Sequence, residues 1–293
     1  MLYEKYIGVI NEESVLAECG PMRLIIGAWK VGQPQLDLAA RAAKRAFGFL
    51  ARIATYRLTL SLPPADIGAL PNDDLAVRMV TSVRAIGDDD LTPMAAVAGT
   101  IADAVADWLF DQGASRVIVD NGGDIAIRLA EGEAVTVGVR PKLTSHEISH
   151  VMTLDGSSAS WGVTTSGLGG RSFTRGIASA VTTLSVNASI ADAASTAIAN
   201  ACFVEDDSIS QVPADRIDPN TDLSGLRVTM NAGSLSPTKM MTAIGRAQHK
   251  ADRLTQRGVI IGALIALDKV VTVTNGMKPY ALSLSESPAE AHL

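Results

Sequence analysis

The sequence predicts an α+β fold built on a mainly antiparallel sheet, and three observations lead to that class. Short apolar segments with strand-like alternation arrive in hairpin succession at both ends and in the middle of the chain. Helical periodicity is confined to five longer stretches that interrupt those segments. The composition is aliphatic and small, with 47 % hydrophobic residues, 4 % aromatics and 25 glycines, which suits close packing of helices on a sheet. The 293 residues carry 25 Lys+Arg against 31 Asp+Glu, a net charge of −6. That mild acidic excess argues against a dedicated nucleic-acid binder, which ordinarily carries a strong basic patch. With 19 % charged residues the chain reads as globular and ordered. One domain is expected over residues 1–284, with a frayed tail over 285–293.

The elements follow in order. Residues 6–10, 14–17 and 22–30 read as strands, with Gly20-Pro21 as a turn. Over residues 35–55, Ala39, Ala42, Ala43, Ala46, Leu50 and Ile53 recur at helical spacing between basic residues. Asn72 is the expected cap of a second helix ending near Ile86. Thr92 followed by Pro93 opens a third, to about Phe110, with proline at the first helical position. Strands are expected at 116–120, 125–129, 134–140, 148–154, 158–164 and 181–186. A helix follows at about 190–203, then an acidic loop over 204–224. The chain closes with a strand near 226–230, a helix near 238–256, and strands at 258–267 and 270–274.

Cys19 and Cys202 form neither a CxxC pair nor a disulfide framework, so two reduced, buried thiols are expected. Glu4, Lys5, Glu12, Glu13 and Glu18 break up any signal-peptide core. The run over 258–267 is about half of what a bilayer crossing needs. A cytoplasmic protein is expected.

Four stretches could carry chemistry. In the first, Val117-Ile-Val-Asp-Asn-Gly-Gly-Asp-Ile-Ala-Ile127, Gly122 and Gly123 let a ligand approach bare backbone, and the same pattern is a hairpin turn signal. In the second, Asp192 and Thr196 lie four apart on one helix face, and a carboxylate with a hydroxyl suits Mg²⁺. The competing reading makes Ser189 a helix N-cap and Asp192 its capping-box partner. The third, His146-Glu147-Ile148-Ser149-His150, is a literal H-E-x-x-H. It needs a helix to bring both histidines to one zinc, but here the apolar alternation is strand-like and no third ligand lies nearby. The fourth, residues 161–176, is a glycine- and hydroxyl-rich loop in which Arg171 and Arg175 could clamp a phosphate.

Taken in order, Thr92-Pro-Met-Ala-Ala-Val-Ala-Gly-Thr-Ile-Ala-Asp103, Asn121-Gly-Gly-Asp124, Thr165-Ser-Gly167 and Ala191-Asp-Ala-Ala-Ser-Thr-Ala197 resemble the ApbE-like superfamily of flavin transferases. The match is closest to its short branch, often labelled thiamine-biosynthesis-like, and is best over residues 84–203. The resemblance implies a T-fold-like α+β architecture. It implies that Asn121, Gly122, Gly123 and Asp124, with Thr165, Ser166, Gly167 and Arg171, line a site for FAD or FMN. It implies that Asp192 and Thr196 hold Mg²⁺ beside the pyrophosphate. FMN transfer is the activity that goes with the family. Two departures stand out: Gly99 follows Ala98 where the transferases carry Lys-Gly, and the region matching their His-Ile-Ile-Asp-Pro-x-Thr-Gly stretch, residues 171–180, has no histidine. The expected partner is a nucleotide-like small molecule, with no nucleic acid and no membrane, and a homodimer is an open assembly state. The alternatives are a pterin- or purine-binding T-fold protein without transferase activity, and a zinc hydrolase through His146 and His150.

Overall fold

A computed structural model describes residues 3–284; the tail expected to fray, 285–293, lies outside the described residues. In chain order the elements are β1 (Lys5–Val9), β2 (Ser14–Cys19), β3 (Met22–Lys30), β4 (Gln33–Pro34), α1 (Leu36–Thr55), α2 (Arg57–Leu60), α3 (Asp74–Ile86), α4 (Val97–Asp111), β5 (Arg116–Asp120), β6 (Asp124–Leu129), β7 (Ala134–Val139), β8 (His150–Asp155), β9 (Ser160–Ser166), β10 (Ala180–Ser185), α5 (Ala188–Ala201), β11 (Ile209–Pro213), β12 (Arg227–Ala232), α6 (Pro237–Gln256), β13 (Gly262–Leu267), β14 (Val270–Val273) and β15 (Ala281–Ser283).

The main sheet runs β1-β2-β3-β5-β6-β9-β10-β13-β14, with β4 on β3. Its pairs are antiparallel, as the fold class predicts. Three excursions leave it. The stretch α1–α4 lies between β3 and β5, and β11, β12 and α6 lie between β10 and β13. Between β6 and β9, β7 and β8 turn aside and join β15 in a second, three-stranded sheet. β15 carries no turn-and-alternation signal strong enough to predict it.

Two apolar clusters sort the layers. The larger joins α1, α3, α4, α5 and α6 to one face of the main sheet. The smaller joins the three-stranded sheet to the other face, through Ile127, Leu129, Val137, Val139, Met152, Leu154, Trp161 and Val163 among others. Trp161 meets Tyr280 edge-on at 5.5 Å between ring centroids. The two cysteines are free and buried.

At the centre of the helical layer, α5 reads Ala-Ser-Ile-Ala-Asp-Ala-Ala-Ser-Thr-Ala-Ile-Ala-Asn-Ala. Such small side chains let it sink between α4 and the sheet. Gly99 on α4 completes the fit: a Cβ there would lie 2.2 Å from the Ala188 carbonyl oxygen. Beneath this contact sits a buried ion network. Arg128 from β6 donates to Asp103 and Asp107 of α4. Asp103 in turn accepts from the Ala188 and Ser189 amides that open α5.

Several local expectations change. Asp73, not Asn72, caps α3, accepting from the Leu75 and Ala76 amides. Thr92 makes no cap bond; its hydroxyl donates to Asp222, and residues 93–96 form a 3₁₀ turn before α4 begins. The loop expected over 204–224 contains β11, paired with β12. The stretch 93–111 is the one helix among the described residues long and apolar enough to cross a membrane, and 61 % of its apolar window is buried inside the protein. Its buried positions pack into the larger cluster, as in a core helix.

Candidate functional site

A cavity of about 470 Å³ opens where the β5–β6 turn, the end of β9 and the start of α4 converge. Asn121, Gly122, Gly123, Asp124, Thr165, Ser166, Gly167, Arg171, Asp192 and Thr196 all line it. Four stretches separated by up to about seventy positions of chain therefore meet in one place.

The hairpin turn is built by its own polar atoms. The Gly123 amide donates to Asp120 Oδ1 at 2.7 Å, and the Asn121 amide to the Asp124 carbonyl at 3.1 Å. Gly122 and Gly123 hold φ of +73° and +109°, where a Cβ is disfavoured. The turn is thus a hairpin turn and a cavity wall at once, and the two sequence readings of it are compatible. The Asn121 side chain ties the turn to the start of α4, its Nδ2 donating to the Ala98 carbonyl at 3.1 Å. Arg171 reaches over the turn and donates to the Pro21 carbonyl at 2.6 Å.

Asp192 is not a cap for its own helix. Asn187 caps α5, accepting from the Ile190 amide at 2.9 Å, so the capping-box reading with Ser189 falls. Asp192 Oδ2 instead accepts the Gly99 amide at 2.9 Å, at the N-terminal turn of α4. Asp124 faces it across the cavity floor. Burial, then repulsion from Asp192 and Asp120, push the Asp124 carboxyl well above the ordinary range, against the pull of Arg171. Burial also lifts Asp192 to about 7; the Gly99 and Ala98 amides oppose the rise and Asp103 adds to it. Neither the Asp124 carboxylate nor the Thr196 hydroxyl hydrogen-bonds to any other described residue. The carboxylates of buried Asp192 and half-buried Asp124, with the Thr196 hydroxyl, form a donor set that a hard cation with retained waters would satisfy. No group of three or more His, Cys, Asp or Glu suited to a metal occurs among the described residues.

Other nominated residues lie elsewhere. Arg175 is bound to Asp90 at 2.6 Å and does not line the cavity, so of the two arginines only Arg171 faces the cavity. Residues 146–149 form no helix, and His150 begins β8, buried, with its Nδ1 2.9 Å from Ser149 Oγ. The H-E-x-x-H spacing consequently does not gather two histidines on one helix turn. The structure adds Asp120, Thr182 and Arg140 to the lining. Thr182 was within reach of sequence reasoning only through register: it pairs with Thr165, and their hydroxyls lie 2.9 Å apart.

The scaffold is thus an antiparallel α/β fold with a glycine-walled, acid-floored cavity at one end of the main sheet. The family model described as AbpE bacteria matches residues 9–276, and the chain belongs to that family. The chain is 32 % identical over 201 residues to the UPF0280 protein of Methanothermobacter thermautotrophicus, covering 64 % of this chain and 73 % of that one. It is 36 % identical over 121 residues to the UPF0280 protein of Methanococcus aeolicus, covering 41 % and 49 %. Among solved structures, the apo form of the Pseudomonas stutzeri flavinyl transferase ApbE superposes with a TM-score of 0.50 at 14 % identity. That match covers 96 % of this chain and 98 % of that one, a likeness of fold.

Proposed function

We propose that the cavity binds a flavin or another nucleotide together with Mg²⁺. The observation that carries this is the meeting, in one cavity, of the ten residues that the family resemblance assigns to the site, with Asp124, Asp192 and Thr196 at its floor. Asp192 and Thr196 would hold the cation, with Asp124 opposite, and the cation would neutralise charge on a pyrophosphate and polarise its phosphorus–oxygen bonds. The chain's own residues would do the rest. Arg171 would bind a phosphate oxygen, the Gly122–Gly123 turn would admit the ligand against bare backbone, and the Gly99 amide would orient Asp192. The likeness of fold to the Pseudomonas stutzeri flavinyl transferase supports FAD or FMN as the nucleotide.

A second reading is binding without transfer, of a pterin or purine. It is favoured by the cavity's lack, among the described residues, of any lining histidine or lysine that could take up a proton from an attacking group. Mass spectrometry of small molecules released from the purified protein tests both. Recovered FAD or FMN supports the first reading, a free purine or pterin supports the second, and a protein that neither releases nor takes up any of these ligands removes both.

A further inference from the structure

A second cavity, of about 490 Å³, lies at the other end of β6 and β9, against the helical layer. Asp124 opens β6 at the first cavity, and Arg128, four residues and about 13 Å further along the strand, lines the second. The two cavities share no lining residue. Here α3 supplies Arg78 and Ser82, α4 supplies Asp107, and the turn into α5 brings Val186 and Ile190.

The charged side chains alternate in sign, and the series stops at a cation. Asp103 accepts from Nη2 of Arg128, and Asp107 Oδ1 accepts from its Nε. Asp107 Oδ2 accepts from both Nη1 and Nη2 of Arg78, at 3.0 Å each. Arg128 thus serves two carboxylates and Arg78 serves one. The remaining edge of the Arg78 guanidinium, Nε with the outer N–H of a terminal nitrogen, is unspent among the described residues. Ser82 follows Arg78 by four residues and so lies on the same face of α3. It is 3 % exposed, it lines the cavity, and its hydroxyl bonds to no described residue. Buried hydroxyls ordinarily have a partner, so this one points to a ligand atom. The amides that open α5 are not the attraction: Asp103 holds those of Ala188 and Ser189, and Asn187 holds that of Ile190.

We infer that this cavity is a second ligand site, and that it takes a small organic monocarboxylate. The carboxylate lies against the free edge of Arg78 as the next member of the alternating series, a planar fork meeting a planar fork. Ser82 meets a carboxylate oxygen or a hydroxyl beside it, and Val186 and Ile190 take a short aliphatic body. The charge count favours one negative charge. Asp103 and Asp107 balance Arg128 and Arg78, and the positive end of α5 adds roughly half a charge. A phosphate dianion brings more charge than that offsets. The inference does not depend on what the first cavity binds.

Ligand-observed NMR titrations with L-lactate, its neutral analogue lactamide and inorganic phosphate test it. Lactate at millimolar concentration should bind the unaltered protein, and lactamide should bind roughly tenfold more weakly or worse. Arg78→Gln removes the free edge while Arg128 still holds Asp107, and should weaken lactate by roughly tenfold or more. Ser82→Ala removes a hydroxyl that has no partner to lose. It should leave the melting temperature unchanged or raised and weaken lactate several-fold. Asp192→Asn, in the first cavity, should bind lactate as the unaltered protein does. The second site is overturned if the unaltered protein fails to bind lactate, if neither Arg78→Gln nor Ser82→Ala alters binding, or if Asp192→Asn abolishes it. Lactamide binding as tightly as lactate overturns the anion, and phosphate binding more tightly than lactate, with loss in Arg78→Gln, overturns the monocarboxylate.

Discussion

Asp192 is a buried carboxyl, and its protonation couples to folding. The Asp192 carboxyl titrates higher in the folded protein, near 7, than in the unfolded chain, near 4. Between those values the folded state binds the extra proton, so stability is full below about pH 4 for this group and declines as pH rises through about 7. The apoprotein should therefore melt lower at pH 8 than at pH 5.5, by about 2 °C for each ~1 kcal/mol lost. A cation that replaces the proton should remove much of that slope. Thermal scans across this range with and without Mg²⁺ check it, and a melting temperature that rises with pH in the apoprotein contradicts it. Zinc is a separate matter: with residues 146–149 outside any helix, elemental analysis of untagged protein should find far less than one zinc per chain.

At the scale of elements, the site depends on how closely α4 and α5 approach. Gly99 serves two ends, its amide on Asp192 and its missing side chain against Ala188. Gly99→Ala should cost about 1–3 kcal/mol, because the clash is with backbone that has nowhere to shift, and it should weaken ligand binding by displacing Asp192. The network beneath is more sensitive. Arg128→Met leaves Asp103 buried without its cation and should cost about 3–5 kcal/mol, read by urea unfolding. A loss under about 1 kcal/mol would mean that the Ala188 and Ser189 amides alone hold that carboxylate. Elements were readable to different degrees. The Ala-rich periodicity of α1 and the alternation of β2 and β3 place those elements closely, because one face of each is buried. The cap of α3 and the 3₁₀ start before α4 depend on which side chain tertiary contacts engage: Asp222 takes the Thr92 hydroxyl from a loop 130 residues away. β15 gains its strand form from pairing with β8, which three residues of local sequence do not announce.

Across the whole molecule, the sheet does the assembling. Its order brings β5, β6, β9 and β10 side by side although the β7–β8 excursion and a glycine-rich loop separate them in sequence. The motif residues were legible one by one as turns, hydroxyl clusters and a helix face, and their order carried the family resemblance. Their convergence was not legible, because register and sheet order set it. The same holds for Thr182, found by pairing, and for Arg140 and Leu143, delivered by a second sheet whose docking rests on dispersed apolar contacts.

The central claim is that Asp192 belongs to a cation-dependent nucleotide site rather than to helix capping. Calorimetric titration of FAD and ADP into the unaltered protein and into Asp192→Asn, each with and without Mg²⁺, tests it most directly. Asparagine keeps an acceptor for the Gly99 amide, so the fold should persist and its melting temperature at neutral pH should hold or rise. The account predicts Mg²⁺-dependent binding in the unaltered protein and its loss in the variant. Binding that is equal in the two proteins, or indifferent to Mg²⁺ in both, would contradict it.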